Sequence, residues 1–250
     1  MPAAVILNQA NTYTGATTVN ANGTLRLGAS STASTSGPLG ATAGGTTVSS
    51  GGVLDMNGFS LTSSATEALT INGTGISSGG AFINSSGTAS TWAGTVALGS
   101  ASSVGGAGNL TLSGVVSGGF ALTKVGAGAL TLSNSSNSYS GGTVISGGTV
   151  SVFNAGHLGN SSGAITIGNG GKSTTLDVAS TLSRTALNVI DGSSAGVINV
   201  ESGQTFTLTN LNTPSGTSNT TKFGKNVVSI STLCRTISKT RSTTRTINVP

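Results

Sequence analysis

Residues 122–152 read LTKVGAGALTLSNSSNSYSGGTVISGGTVSV, and this stretch sets how the rest of the chain is read. Gly126-Ala127-Gly128 leads into an apolar-polar-apolar triplet, Leu130-Thr131-Leu132. A polar corner follows, Asn137-Ser138-Tyr139-Ser140-Gly141-Gly142. Then come two short apolar runs, Val144-Ile145 and Val150-Ser151-Val152, split by Gly147-Gly148. Alternation over so few residues, bounded by Gly, Asn and Ser, is a strand signal. The same order occurs near the start, in Val5-Ile6-Leu7, Asn11-Thr12-Tyr13-Thr14-Gly15, Thr18-Val19, Gly23 and Leu25-Arg26-Leu27. One unit is written twice, which is the signature of a stacked architecture.

The copies also agree beyond their own length. Gly37-Pro38-Leu39-Gly40 after the first is matched by Gly156-His157-Leu158-Gly159 after the second, and Leu54-Asp55-Met56 by Leu176-Asp177-Val178. The offset is 126 residues at Tyr13 and Tyr139, 119 at the leucines and 122 at the aspartates. Loop insertions between fixed strands produce such drift. Between the copies the style is unchanged, with triplets at Leu69-Thr70-Ile71, Val96-Ala97-Leu98 and Leu110-Thr111-Leu112.

Composition points the same way. Of 250 residues, 40 are Gly, 6% are charged and 4% are aromatic, while 35% are hydrophobic. That apolar share argues against disorder. Val, Ile, Leu and Ala in short runs favour strands, and the scarcity of Glu, Lys, Gln and Arg leaves almost no helix expected. Net charge is +5, but the five bases and five acids of residues 1–224 cancel. The excess lies in Lys225, Arg235, Lys239, Arg241 and Arg245, so the body carries no basic nucleic-acid surface and no nucleic-acid partner is expected. The single cysteine, Cys234, rules out an internal disulfide. No apolar run approaches the about 20 residues of a membrane-spanning helix. Met1-Pro2-Ala3-Ala4 lacks a charged leader region and Val5-Ile6-Leu7 is too short for its apolar core, so no signal peptide is expected in this chain.

Two all-β architectures fit, an antiparallel sandwich and a parallel solenoid. The pattern runs the length of the body instead of closing after seven or eight strands, hairpin dipeptides are sparse, and small polar residues dominate the corners. These features favour a parallel β-helix over residues 1–224, with two residues of each triplet inward and the middle one outward. At residue 225 the character changes. Residues 225–250 contain no glycine, and Thr221-Lys222-Phe223-Gly224 opens like Thr123-Lys124-Val125-Gly126 without a third unit following. We expect an irregular basic tail there, disordered or out of frame.

No constellation of side chains suggests chemistry. Asp55 and Asp177 are each the middle residue of a triplet, which places them outward, in a structural or solvated role; Ca²⁺ ligation or acid/base work would need more carboxylates nearby. His157, the sole histidine, stands where the first copy has Pro38, so it reads as a solvated loop residue. Tyr13 and Tyr139 read as corner packing rather than sugar stacking. Gly126-Ala127-Gly128 precedes no helix, so it is not a phosphate loop, and no serine lies on a nucleophile elbow. The expected catalytic, cofactor-binding and metal-ligating residues are none.

Leu122-Thr123-Lys124, Gly126-Ala127-Gly128, Leu130-Thr131-Leu132, Asn137, Tyr139, Gly141-Gly142-Thr143 and Gly147-Gly148-Thr149 resemble the passenger-associated transport repeat, also called the autotransporter-associated β-strand repeat. Asn11, Tyr13, Gly15, Thr18-Val19 and Gly23-Thr24-Leu25 are similar to the same motif. The resemblance implies a right-handed parallel β-helix in the secreted, surface-exposed passenger of a large bacterial protein. It implies an outer-membrane β-barrel translocator as partner, which this sequence does not contain. A non-catalytic stalk that supports export and extracellular folding, within an adhesin or another passenger, is the leading expectation. The rival readings are a carbohydrate-binding or self-associating adhesin surface, testable at Trp92 and Tyr139, and a polysaccharide lyase or hydrolase. The partners those rivals imply are host or biofilm glycans or other copies of the chain.

Overall fold

A computed structural model describes residues 4–31, 36–62, 67–167, 172–189 and 196–212, and the short strands Lys222–Phe223, Val228–Ile230, Leu233–Cys234 and Arg245–Ile247. Triplets separated by Gly-rich corners do not fold back on one another. Each pairs in parallel with the triplet one coil further on, so the chain winds into a β-solenoid with three walls. The first wall stacks Thr17–Val19, Thr46–Val48, Leu69–Gly73, the first part of Val96–Gly106, and Val116–Ser117. The second stacks Ala4–Leu7, Thr24–Leu27, Val53–Asp55, Phe82–Asn84, the second part of Val96–Gly106, Leu122–Lys124, Thr143–Ile145 and Ile165–Ile167. The third runs from Ser90–Trp92 through Leu110–Leu112, Ala129–Leu132, Gly148–Val152 and Thr174–Val178 to Gly196–Val200. Single bridges from Ser31 to Leu61 and from Leu61 to Trp92 begin this wall.

Parallel in-register pairing places like on like, so the inward residues form columns. In the second wall the column is Leu25, Leu54, Phe82, Val104, Lys124, Ile145 and Ile167. In the first it is Val19, Val48, Ile71 and Leu98. In the third it is Trp92, Leu112, Leu132, Val152, Val178 and Val200. Lys124 apart, these side chains form the buried apolar core. Each aliphatic rung contributes about 1.5–3 kcal/mol on burial, and one coil alone could not supply it. The outward middle residues Thr123, Thr131 and Thr166 stay half-buried, as the alternation requires.

Coil length is not constant. It is 21 residues from Lys124 to Ile145 but 29 from Leu25 to Leu54. The surplus in the early coils forms a two-residue antiparallel pairing of Ser36–Gly37 with Gly40–Ala41, its Leu39 buried in the core, and a 3₁₀ turn at Ile76–Ser78. A second 3₁₀ turn, Ala155–Leu158, is the only other helical element among the described residues. Beyond residue 224, Val228–Ile230 and Leu233–Cys234 pair in parallel with Phe206–Asn212, and Arg245–Ile247 pairs antiparallel with Val228–Ile230. The other residues of 225–250, on which the expectation of a disordered or out-of-frame tail rests, lie outside the described set.

Candidate functional site

The two sequence repeats are the natural place to look for function. In each, the first and third strands are neighbours one coil apart. Ala4 to Leu7 lie beside Thr24 to Leu27, and Ala129 to Leu132 beside Thr149 to Val152. Between them the chain turns through the Asn-x-Tyr corner. Asn11 Nδ2 donates to Pro38 O at 2.7 Å, and Asn137 Nδ2 to His157 O at 2.8 Å. The Tyr13 hydroxyl meets Thr17 Oγ1 at 2.8 Å, and the Tyr139 hydroxyl meets Thr143 Oγ1 at 2.7 Å. The tyrosine carbonyls accept from Ala41 N and Asn160 N of the next coil at 2.8 and 2.9 Å. Over each ring passes a left-handed glycine, Gly40 at φ 88° and Gly159 at φ 70°. A Cβ on either would strike tyrosine atoms, so glycine is required there on two counts.

The modules differ in placement. The first puts its strands in the second, first and second walls, the other in the third, second and third. They are one unit set a third of a turn apart around the axis. Residues 4–27 and 122–152 each match the family described as the passenger-associated transport repeat. Two segments of the chain are thus similar to this transport repeat. No curated protein and no solved structure matches the chain.

Each transport repeat therefore acts as a staple between coils. The second is complete. Asn137 Oδ1 accepts from Val116 N at 2.7 Å, so one side chain joins the coil before to the coil after. Ser138 N and Ser140 N bond back to Val116 O and Gly118 O. Tyr139 is fully buried, and burial pushes its hydroxyl up to about 12, against the opposing pull of Thr143 and Arg184. In the first transport repeat Tyr13 is 40% exposed. Tyrosine as corner packing, expected from sequence, holds fully for Tyr139.

Several residues sit elsewhere than the sequence suggested. His157 is not a solvated loop residue. It is buried in the 3₁₀ turn Ala155–Leu158, and its Nδ1 accepts from Phe153 N at 3.1 Å. Burial lowers its pKa, and the bond accepted at Nδ1 leaves Nε2 to carry the proton of the neutral ring. Of the two roles open to Asp55, structural or solvated, it takes the structural one. It is fully buried, accepting at Oδ1 from Asn57 N and Ser85 N and at Oδ2 from Arg26 Nε and Ser85 Oγ, all between 2.7 and 3.0 Å. Arg26 comes from the coil before and Ser85 from the coil after, which triplet alternation does not report. Asp177, its counterpart, is half-buried on the outer face and accepts from Asn199 Nδ2 at 2.7 Å. Trp92 and Tyr139 are both fully buried, Trp92 edge-on to Phe82 at 5.3 Å, so neither can touch a glycan from this position.

Two inward cations escaped the sequence reading. Lys124 Nζ donates to Val125 O, Gly126 O and Gly147 O at 2.7, 3.0 and 3.1 Å, tying one Gly-rich corner to the next. Burial draws its ammonium down to about 8. Arg184 reaches from Leu182–Val189 to four carbonyls around the 3₁₀ turn, with Leu158 O nearest at 2.7 Å. Burial lowers its pKa, although the nearby Tyr139 pulls the other way. Leu122-Thr123-Lys124 and Leu182-Ser183-Arg184 show the inward alternation plainly; the habit of placing charge outside hid it. Glu67 is buried too, with its pKa raised by burial against a 2.7 Å hydrogen bond from Thr46 Oγ1. These groups are saturated or enclosed and serve as interior fastenings. No cluster of three or more His, Cys, Asp or Glu occurs among the described residues.

Proposed function

We propose that this chain is a non-catalytic segment of the passenger of a secreted bacterial autotransporter, a β-solenoid stalk that supports export and folds outside the cell. The observation that carries this is the transport repeat itself. It recurs as one hydrogen-bonded staple joining consecutive coils, on different walls of the same stack. A stack of this kind has nearest-neighbour energetics, so coils can order one after another as they emerge. Ordering on the far side would oppose backsliding through a β-barrel translocator. The fully engaged Asp55 and the isolated His157 support a non-catalytic role over a lyase or hydrolase.

The test is surface display. The chain is placed between a secretion leader and an outer-membrane β-barrel, and protease-resistant material on the cell surface is measured. We expect the native sequence to reach the surface folded and a scrambled sequence of equal composition to stall. Equal display of the two would overturn the reading.

A further inference from the structure

The long early coils build a groove that the stalk role does not use. The segment between Leu69–Gly73 and Phe82–Asn84 arches over the outer face of the second wall. Beneath it lies a cavity of about 520 Å³, within the roughly 300–1,000 Å³ range of small-ligand sites. The arch holds an unusual backbone. Ser77 at φ 51° and Ser78 at φ 57° are successive non-glycine residues in the left-handed region, a conformation that costs free energy and clusters at ligand clamps.

One charged group looks into this cavity in a fixed pose. Asp55 lies at its base with both oxygens fully engaged, and it holds Arg26 through Nε at 2.9 Å. The Arg26 Nη groups have no partner among the described residues, and the side chain is 28% exposed. The guanidinium thus presents its terminal donors to the groove while its orientation is set from behind. That planar fork matches one carboxylate. Val53, Ile76 and Ile83 give an apolar face, and Thr24 and Ser85 add hydroxyls.

We propose that this groove binds an acidic sugar unit, a uronate, with its carboxylate on Arg26 and its ring on Val53, Ile76 and Ile83. A peptide is a poorer match, because the second-wall strands beneath are paired on both edges and offer no site for strand addition. A polyanion is also poorer, because no other cation lines the groove. Asp55, with four donors on it, has no free lone pair with which to act as a base, so the uronate is bound and not cleaved. This site is independent of the export role.

The experiment is calorimetric titration of the full chain with a single uronate unit, methyl galacturonide, and with its methyl ester. The free acid should bind and the ester should bind at least about tenfold more weakly, the span expected when a charge-assisted pair is lost. Arg26→Lys keeps a cation beside Asp55 but removes the fork, and should weaken the acid at least about tenfold. Ile76→Trp fills the groove without touching Arg26 and should abolish binding while the circular dichroism melt is retained. Absence of binding by the parent chain, equal binding of acid and ester, or parental affinity in both variants would overturn the proposal.

Discussion

Lys124 stands between Val104 and Ile145 in an otherwise apolar column, so its charge is a cost that the stack carries in exchange for holding two corners together. Its folded pKa, about 8, lies below the unfolded value of 10.5. The unfolded chain therefore binds more protons between those two values, and stability contributed by this group rises with pH across that window. Below about 8 the full penalty is present. The difference in melting temperature between the parent and Lys124→Met should thus grow in the parent's favour from pH 7.5 to 10.5. The swing is on the order of 3 kcal/mol for a shift of this size. A flat difference would mean that the three carbonyls hold the charge as well as water does. A second residue-scale expectation concerns the asparagines. Asn137→Ala strands Val116 N and His157 O together, and should cost about 1–3 kcal/mol in denaturant unfolding. Asn11→Ala removes one inter-coil bond, to Pro38 O, and should cost less. Equal costs would contradict the view that the second staple is the complete one.

At the scale of elements, the corners decide where the strands go. Gly159 has φ 70°, and a Cβ there would sit 2.4 Å from Tyr139 O. Gly159→Ala should destabilise by more than the about 1 kcal/mol of a simple glycine replacement, and should unquench or shift the tyrosine signal as the ring is displaced. Gly87→Ala is the control, since nothing lies within 4 Å of its Cβ position, and it should be neutral or slightly stabilising. The strand pattern was legible in the sequence because it is local. Leu130-Thr131-Leu132 states its own inward and outward faces, and Leu39 and Leu158 could be matched through a shared motif. The carboxylate environment was not legible. Asp55 obeys the same alternation as Asp177, but Ser85 of the next coil closes over it, and only the three-dimensional stack brings them together. The groove was illegible for the same reason. Arg26 and Asp55 are 29 residues apart in sequence and adjacent only through parallel register. The third-of-a-turn offset between the transport repeats depends on the summed lengths of all intervening coils, which no single motif contains.

For the molecule as a whole, parallel register implies that a complete coil is removable and a partial one is not. Lys124 pairs with Ile145, so excising residues 125–145 brings Ser146 next to Lys124 one full coil later. Gly148–Val152 then meets Leu110–Leu112 in the register that Ala129–Leu132 held, because Leu110, Leu130 and Val150 share one column. Inward residues remain inward on every wall. Excising residues 125–134 instead removes a third-wall strand and leaves its corner with no rung beneath it. The whole-coil deletion should keep a β-rich spectrum and a cooperative transition, with a denaturant slope reduced in proportion to the surface lost. The part-coil deletion should lose both. The whole-coil deletion also removes the core of the second transport repeat, Asn137 and Tyr139 included, while leaving a foldable stack. In the display assay it should therefore fold yet reach the surface in smaller amount than the parent, if the repeat acts in export beyond its role as a rung. Surface levels equal to the parent's would assign the repeat to stacking alone, and the stalk would then need no dedicated export element.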